Sequence, residues 1–524
     1  MSAAMTPHDA QSDVFALLGD PDTYGGGEVK RIDTHAAAVF LTETRAYKIK
    51  RAVRFPFLDY STSEKRKAAC EAELAVNQAF APQIYRRVVP ITRASDGRLA
   101  LDGAGEPIEW ALEMQRFDET ATLDRLAARH ALDLAIADEL ARVIAALHAK
   151  ASLADAESWT KRLADYVEQN REELGAHPEL FGPREVEGLS QASHTALRQH
   201  DSLLRRRGRA GLVRRGHGDL HLGNIVLIGG KPLAFDAIEF DPLMATGDLL
   251  YDLAFLLMDL IDRGLDGAAN VVLNRYLAET QRIEDLDGLA ALPLFLSLRA
   301  AIRAKVTAAK RDVDGADRGA ATQAAQDYFR LAARLITPPP PVLVAVGGLS
   351  GTGKSALARA LAPALPPPPG AVVLRSDVER KAMFGVAETE RLPAAAYSED
   401  AAQRVYAALA DKARRVVGAG HTAIVDAVFA RADERAQIAA VADASNVPFR
   451  GLFLTADLEI RIARVAARVH DASDANATVA RQQESYALGA MAWTEIDASG
   501  DLDQTLRAAQ DVIASHASGS PTLR

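Results

Sequence analysis

One stretch restricts the fold of this chain more than any other. Residues 342–346 are an unbroken apolar run, and Gly348-Leu349-Ser350-Gly351-Thr352-Gly353-Lys354-Ser355 follows and leads into a helix-forming pattern. The apolar run reads as a buried strand, and three glycines at the turn let main-chain N–H groups approach an anion at a helix N-terminus. In such a loop Lys354 reaches the β- and γ-phosphates of a nucleotide and the Ser355 hydroxyl faces magnesium. Further apolar runs at 372–374, 423–425 and 451–454 alternate with helical patterns, as buried strands of a parallel α/β sheet do.

The residues around this loop narrow the class. A motor ATPase places a water-activating glutamate after an apolar strand and aspartate, but here Asp426 is followed by Ala427. Asp426 retains the ability to support magnesium. Ser376-Asp377-Val378-Glu379-Arg380 follows the second strand, where Asp377 can face an acceptor hydroxyl and Arg380 can hold the acceptor. Arg464 and Arg468 are spaced as lid arginines on a helix, suited to neutralising charge on a transferring phosphoryl group. The bland alternatives are a helix N-terminal carboxylate for Asp377 and a solvent-facing stripe for the arginines. Asp471, Ser473 and Asp474 extend this lid or cap a helix. This half resembles the P-loop kinases related to polynucleotide kinase and zeta-toxin kinases; by that resemblance Asp377 is the base and Arg380 the substrate contact.

Upstream, Thr337 and four prolines at 338–341 end an Ala- and Arg-rich helical pattern, so the reading is a domain at 1–336, a linker at 337–341 and a second domain at 342–524. Before the seam, strand-like runs at 38–41, 46–50, 84–91 and 108–114 surround a helix at 63–80, and long helical patterns follow from residue 133. That order suits a small strand-rich lobe and a larger helical one.

His217-Gly218-Asp219-Leu220-His221-Leu222-Gly223-Asn224, followed by Phe235-Asp236, supplies the groups that phosphoryl transfer to an alcohol needs. These are a carboxylate for the hydroxyl proton and oxygen ligands for magnesium. The segment resembles the aminoglycoside phosphotransferase family, relatives of the protein kinases. The resemblance implies an α+β kinase-like fold, Asp219 as catalytic base, and Asn224 and Asp236 as magnesium ligands. It also implies a strand lysine on the nucleotide phosphates, held by a helix glutamate. Lys48 and Lys50 lie on one strand face and either fits, with Lys48 preferred, and Glu73 fits the glutamate. His217 braces the loop, and His221 is left without a role. Gly25-Gly26-Gly27 departs from the protein-kinase glycine pattern. The run Arg205-Arg206-Arg207 with Arg209, Arg214 and Arg215 reads as a solvated face, or else as a site for an anionic acceptor.

With 524 residues, 48% hydrophobic and 25% charged, the chain suits several globular domains. A net charge of -9 argues against general nucleic-acid binding. Cys70 is the single cysteine, which excludes an intrachain disulfide and reads as a packed thiol. No apolar run is long and charge-free enough to span a bilayer, and the reading is cytoplasmic. In sum, the order of the halves resembles a bacterial fusion of an aminoglycoside phosphotransferase-like domain with a P-loop kinase. It implies an ATP- and Mg2+-dependent kinase acting on an unidentified small-molecule hydroxyl, the alternatives being a nucleotide-sensing module or an ATPase with one silent half.

Overall fold

The computed structural model describes residues 7–55, 58–311, 317–467 and 472–515. By spatial contact the chain forms two units, one of Met1–Trp159 with Gly208–Asp259, the other of Thr160–Arg207 with Leu260–Arg524.

The first unit contains a six-stranded antiparallel sheet in the order Lys30–Asp33, Ala37–Leu41, Arg45–Lys50, Glu106–Gln115, Tyr85–Arg93, Leu99–Leu101. Strand alternation sends Tyr47 and Ile49 into an apolar core with Phe40, Val89 and Ala111, sealed by Val14 and Leu18 of helix Pro7–Gly19. Lys48 and Lys50 therefore point to the other face, which helix Ser63–Asn77 covers. That helix starts at the Thr62 side chain, which accepts from Lys65 N, and it buries Arg66, Cys70, Glu73 and Asn77 at helical spacing. Cys70 is packed as expected, and burial pushes its thiol up to about 12.

The second unit is built on a parallel five-stranded sheet, in the order Val372–Arg375, Ala423–Asp426, Leu343–Gly348, Phe449–Thr455, Thr494–Asp497. Four of these strands are the predicted ones. Thr494–Asp497 was not anticipated, because its mostly exposed Thr-Glu-Ile-Asp carries no apolar run. The edge strand Val372–Arg375 is covered by helix Asp266–Thr280. Asn274 Oδ1 accepts from Val373 N at 2.7 Å, while Asn274 Nδ2 and Asn270 Nδ2 each donate to Ala371 O at 3.0 Å. One asparagine amide thus pairs with the strand edge as a neighbouring strand would. Arg275 of the same helix adds an ion pair to Glu388 at 2.7 Å, and Asp287 of the next helix, Ile283–Gly288, pairs with Arg415 at 3.0 Å. Residues 337–341 have no regular secondary structure. Among the described residues no helix is long and apolar enough to cross a membrane.

Candidate active sites

In the first unit, strand Arg45–Lys50 and helix Ser63–Asn77 bring both lysines to one glutamate. Lys48 Nζ lies 2.7 Å from Glu73 Oε1, and Lys50 Nζ lies 2.5 Å from Glu73 Oε2. They diverge beyond it, Lys48 reaching Asp236 Oδ1 at 2.8 Å and Lys50 reaching Glu239 Oε1 at 2.6 Å. Burial alone would discharge Lys48, but the carboxylates of Asp236 and Glu73 raise its pKa well above the usual lysine value. Glu73 responds in the opposite direction: burial favours its neutral form, and the two ammonium groups overcome this and lower its pKa.

The loop at 217–224 is held from behind by the helix Leu249–Asp262. Asp252 accepts from His217 N and Gly218 N, both at 2.9 Å, and its Oδ2 lies 3.1 Å from His148 Nε2. Asp259 Oδ2 accepts from Leu222 N at 2.9 Å. His217 Nε2 donates to Phe235 O at 2.9 Å, so the ring ties the loop to the segment carrying Asp236. Asn224 Nδ2 donates to Asp219 Oδ2 at 2.9 Å and Asp219 O at 3.0 Å. Asp236 sits in the left-handed region at φ 60° and its N–H donates to Tyr85 Oη at 3.0 Å, a strained position held from the sheet side.

His221, without a role in the sequence reading, touches the same carboxylate. Its Nδ1 accepts from Gly223 N at 3.1 Å, which places the ring proton on Nε2, 3.4 Å from Asp219 Oδ2. No spacing rule identifies this contact, since it depends on the short 3-10 turn Leu222–Asn224. The arginine run does not form one face: Arg207 is buried and paired with Asp285 at 3.1 Å, Arg205 pairs with Asp201, and Arg214 donates to the Ala151 carbonyl. Gly25, Gly26 and Gly27 all have positive φ and precede the first sheet strand.

In the second unit the loop after Leu343–Gly348 cradles a helix N-terminus. Gly348 has φ 138°, and a Cβ there would lie 2.6 Å from Leu454 O, so only glycine fits. Helix Lys354–Leu361 begins at Gly353, which offers no side-chain cap. Lys354 Nζ donates to Leu349 O at 3.1 Å. Ser355 Oγ donates to Asp426 Oδ2 at 2.5 Å, at the end of the neighbouring strand.

These residues border a cavity of about 730 Å³ that Asp377, Arg380 and Arg464 also line. Burial, then the Asp426 carboxylate, raises the Asp377 pKa above the usual aspartate value. Arg380 is buried, donates to Ala396 O at 2.6 Å and stacks on Tyr397 with its guanidinium carbon 5.0 Å from the ring centre. Arg464 donates to Ala498 O and Gly500 O, both at 2.7 Å, so it presently secures the loop after the last strand. Arg468 and Asp471 lie outside the described residues. Asp474 neither caps a helix nor stays free: it pairs with Lys381 at 2.8 Å and accepts from Tyr397 Oη at 2.6 Å and Leu392 N at 3.0 Å.

Two loop supports escaped the sequence reading. Gln483 Oε1 accepts from Ser350 N at 2.6 Å, and Arg461 Nε donates to Ser350 O at 2.9 Å. Arg461 lies three residues before Arg464 on helix Leu458–Ala466, and its burial was the distinguishing sign.

The profile of the phosphotransferase enzyme family matches residues 29–292, and that of an AAA domain matches residues 343–488. An uncharacterized protein of Mycobacterium tuberculosis, Rv2004c, is 29% identical over 461 residues, covering 86% of this chain and 88% of its own length. Among solved structures, choline kinase from Cryptosporidium parvum is similar over 59% of this chain and 88% of its own, at 14% identity and TM-score 0.37. A gluconokinase from Sinorhizobium meliloti is similar over 34% of this chain and 94% of its own, at 19% identity and TM-score 0.26. The kinase-like fold with its lysine, glutamate and aspartate cluster is followed by a P-loop sheet. Since the first profile spans just over half of the sequence and includes every residue of that cluster, this chain belongs to the phosphotransferase enzyme family.

Proposed function

We propose that the chain is an ATP-dependent kinase that phosphorylates small-molecule hydroxyls, with ATP and Mg2+ used at both sites. The observation that carries this reading is the shared cavity. The phosphate loop and the Asp377 carboxylate face one space, and no carboxylate follows Asp426 to activate water in place of an acceptor.

In the first unit Lys48 is the phosphate lysine and Glu73 holds it. Lys50 has its side chain 5% exposed and is turned to Glu239, whereas Lys48 is 18% exposed and meets Asp236. Asp219 accepts the acceptor's hydroxyl proton as the new O–P bond forms and the bond to the leaving diphosphate breaks. His221 Nε2–H and Asn224 Nδ2 keep that carboxylate oriented, and Asn224 Oδ1 and Asp236 are the cation ligands. In the second unit Gly348, Ser350, Gly351, Thr352, Gly353 and Lys354 hold the phosphates, Ser355 and Asp426 hold the cation, Asp377 is the base and Arg380 contacts the acceptor. Arg464 and Arg468 are the lid arginines, Arg464 reaching the phosphates by releasing Ala498 and Gly500. Among the described residues no three His, Cys, Asp or Glu cluster as a self-sufficient metal site. Bound magnesium supplies charge neutralisation on the phosphates, and oxygen pairs such as these suit an ion that completes its shell with phosphate and water.

The test is full-length protein with labelled ATP and a small-molecule extract, products being read by mass spectrometry. A phosphorylated metabolite that disappears in Asp219→Asn or Asp377→Asn supports the reading. Conversion of ATP to ADP and free phosphate alone, with no labelled metabolite, defeats it.

A further inference from the structure

Arg375 ends the edge strand Val372–Arg375 and was not singled out by its sequence position, yet it lies against the two residues assigned to the cation. Its Nη2 donates to Ser355 Oγ at 3.3 Å and its Nε lies 3.4 Å from Asp426 Oδ2. Ser355 in turn donates to the same Asp426 oxygen at 2.5 Å. The three groups close a triangle in which hydroxyl and carboxylate both face a guanidinium. The setting is dry, with the Arg375 side chain 11% exposed and Asp426 4%. In such surroundings a lone carboxylate costs free energy, and a nearby cation offsets it. The strand that delivers Arg375 is held on its outer edge by Asn274.

We propose that Arg375 is the resident counter-cation of the P-loop site, engaging through Ser355 and Asp426 the same oxygens that a divalent cation uses, so that it sets the metal requirement of nucleotide binding. This rests on the assignment of Ser355 and Asp426 to the cation. The two positive charges are too close to share those oxygens at full strength, so Arg375 gives up its contacts when a divalent cation is held there. Arg375 thereby holds the Ser355 hydroxyl and the Asp426 carboxylate together before nucleotide arrives, at the cost of weaker metal binding. A role as a simple brace for Asp426 has the opposite sign, because removing a brace weakens the metal site.

The experiment is a Mg2+ titration of AMP-PNP binding to the full-length protein by calorimetry, with the P-loop component defined as the binding that Lys354→Ala removes. Arg375→Gln should lower the half-saturating Mg2+ concentration about tenfold, the order expected from removing one adjacent charge. It should also weaken metal-free nucleotide binding. Arg375→Lys, which keeps the charge, should stay near wild type, and a matching melting curve in EDTA shows that the variants are folded. An unchanged or higher Mg2+ midpoint in folded Arg375→Gln, while Asp426→Asn still raises it, overturns the role of Arg375 alone. A wild-type P-loop component that ignores Mg2+, or an Asp426→Asn midpoint equal to wild type, removes the metal assignment and this proposal with it.

Discussion

Lys48 is met by carboxylates 25 and 188 residues away in sequence, whereas Lys354 folds back onto the carbonyl of Leu349, five residues earlier. The first site is gathered from side chains on a strand, a helix, a loop and a segment beyond a hairpin. The second is a contiguous main-chain cradle to which separate side chains are added. The first is therefore sensitive to its shielded partners, because Lys48, Lys50 and Glu73 neutralise one another with little access to solvent. In the second, backbone geometry persists when a side chain is removed, but its charge is lost.

The largest expected effect sharpens this contrast. Asp219→Asn should reduce transfer at the first site by about 10²–10⁴-fold while nucleotide still binds, since the amide keeps the Asn224 neighbourhood but accepts no proton. Asp236→Asn should instead weaken Mg2+-dependent binding itself, as measured by calorimetry with and without metal. Next, Lys354→Ala should weaken nucleotide binding at the second site by about 10²-fold, the scale of a lost charge-assisted contact, with melting little changed because the loop's shape rests on its main chain and on glycines such as Gly348. Equal damage to melting would erase the proposed difference between cradle and network.

A finer comparison separates the two lysines that share Glu73. Lys48→Met should lower nucleotide affinity about tenfold, whereas Lys50→Met should leave affinity near wild type and lower the melting temperature, since Glu73 and Glu239 lose a buried partner. The reverse pattern would make Lys50 the phosphate lysine.

The smallest effect concerns pH. His421 is buried beside the second sheet, and desolvation lowers its pKa from 6.5 to about 4 while Nε2 stays 3.2 Å from Gly370 O. The unfolded chain takes up a proton below pH 6.5 that the folded form refuses until about pH 4. Stability from this group is therefore full above pH 6.5 and declines as pH falls, by about 2 kcal/mol at pH 5. The loss of melting temperature between pH 7 and pH 5 should be smaller in His421→Asn; an equal loss would remove the assignment.

The same contrast explains what the sequence made legible. The phosphate loop was readable because its chemistry is local, with glycines, lysine and serine at fixed offsets between a strand and a helix. Strand alternation also placed Lys48 and Lys50 on one face, and the family resemblance supplied Glu73 as the helix glutamate that holds the lysine. What escaped are contacts between distant elements: Arg461 and Gln483 on Ser350, His221 on Asp219, and Asn274 on the edge strand. Asn274 is the most instructive of these. It lies within the stretch matched by the phosphotransferase profile, yet its amide satisfies a strand of the P-loop sheet. A fragment beginning at Val342 would leave the Val373 N–H and the Ala371 carbonyl without these asparagines, so one beginning at Leu260 should melt higher and aggregate less. Equal behaviour of the two fragments would show the asparagine cover to be dispensable.

Two independent nucleotide sites on one chain are tested most directly by the stoichiometry of Mg2+–AMP-PNP binding to the full-length protein. Two equivalents per chain are expected, one lost in Lys354→Ala and the other in Asp236→Asn. A single equivalent abolished by either substitution alone, or two equivalents that survive both together, would contradict two independent sites.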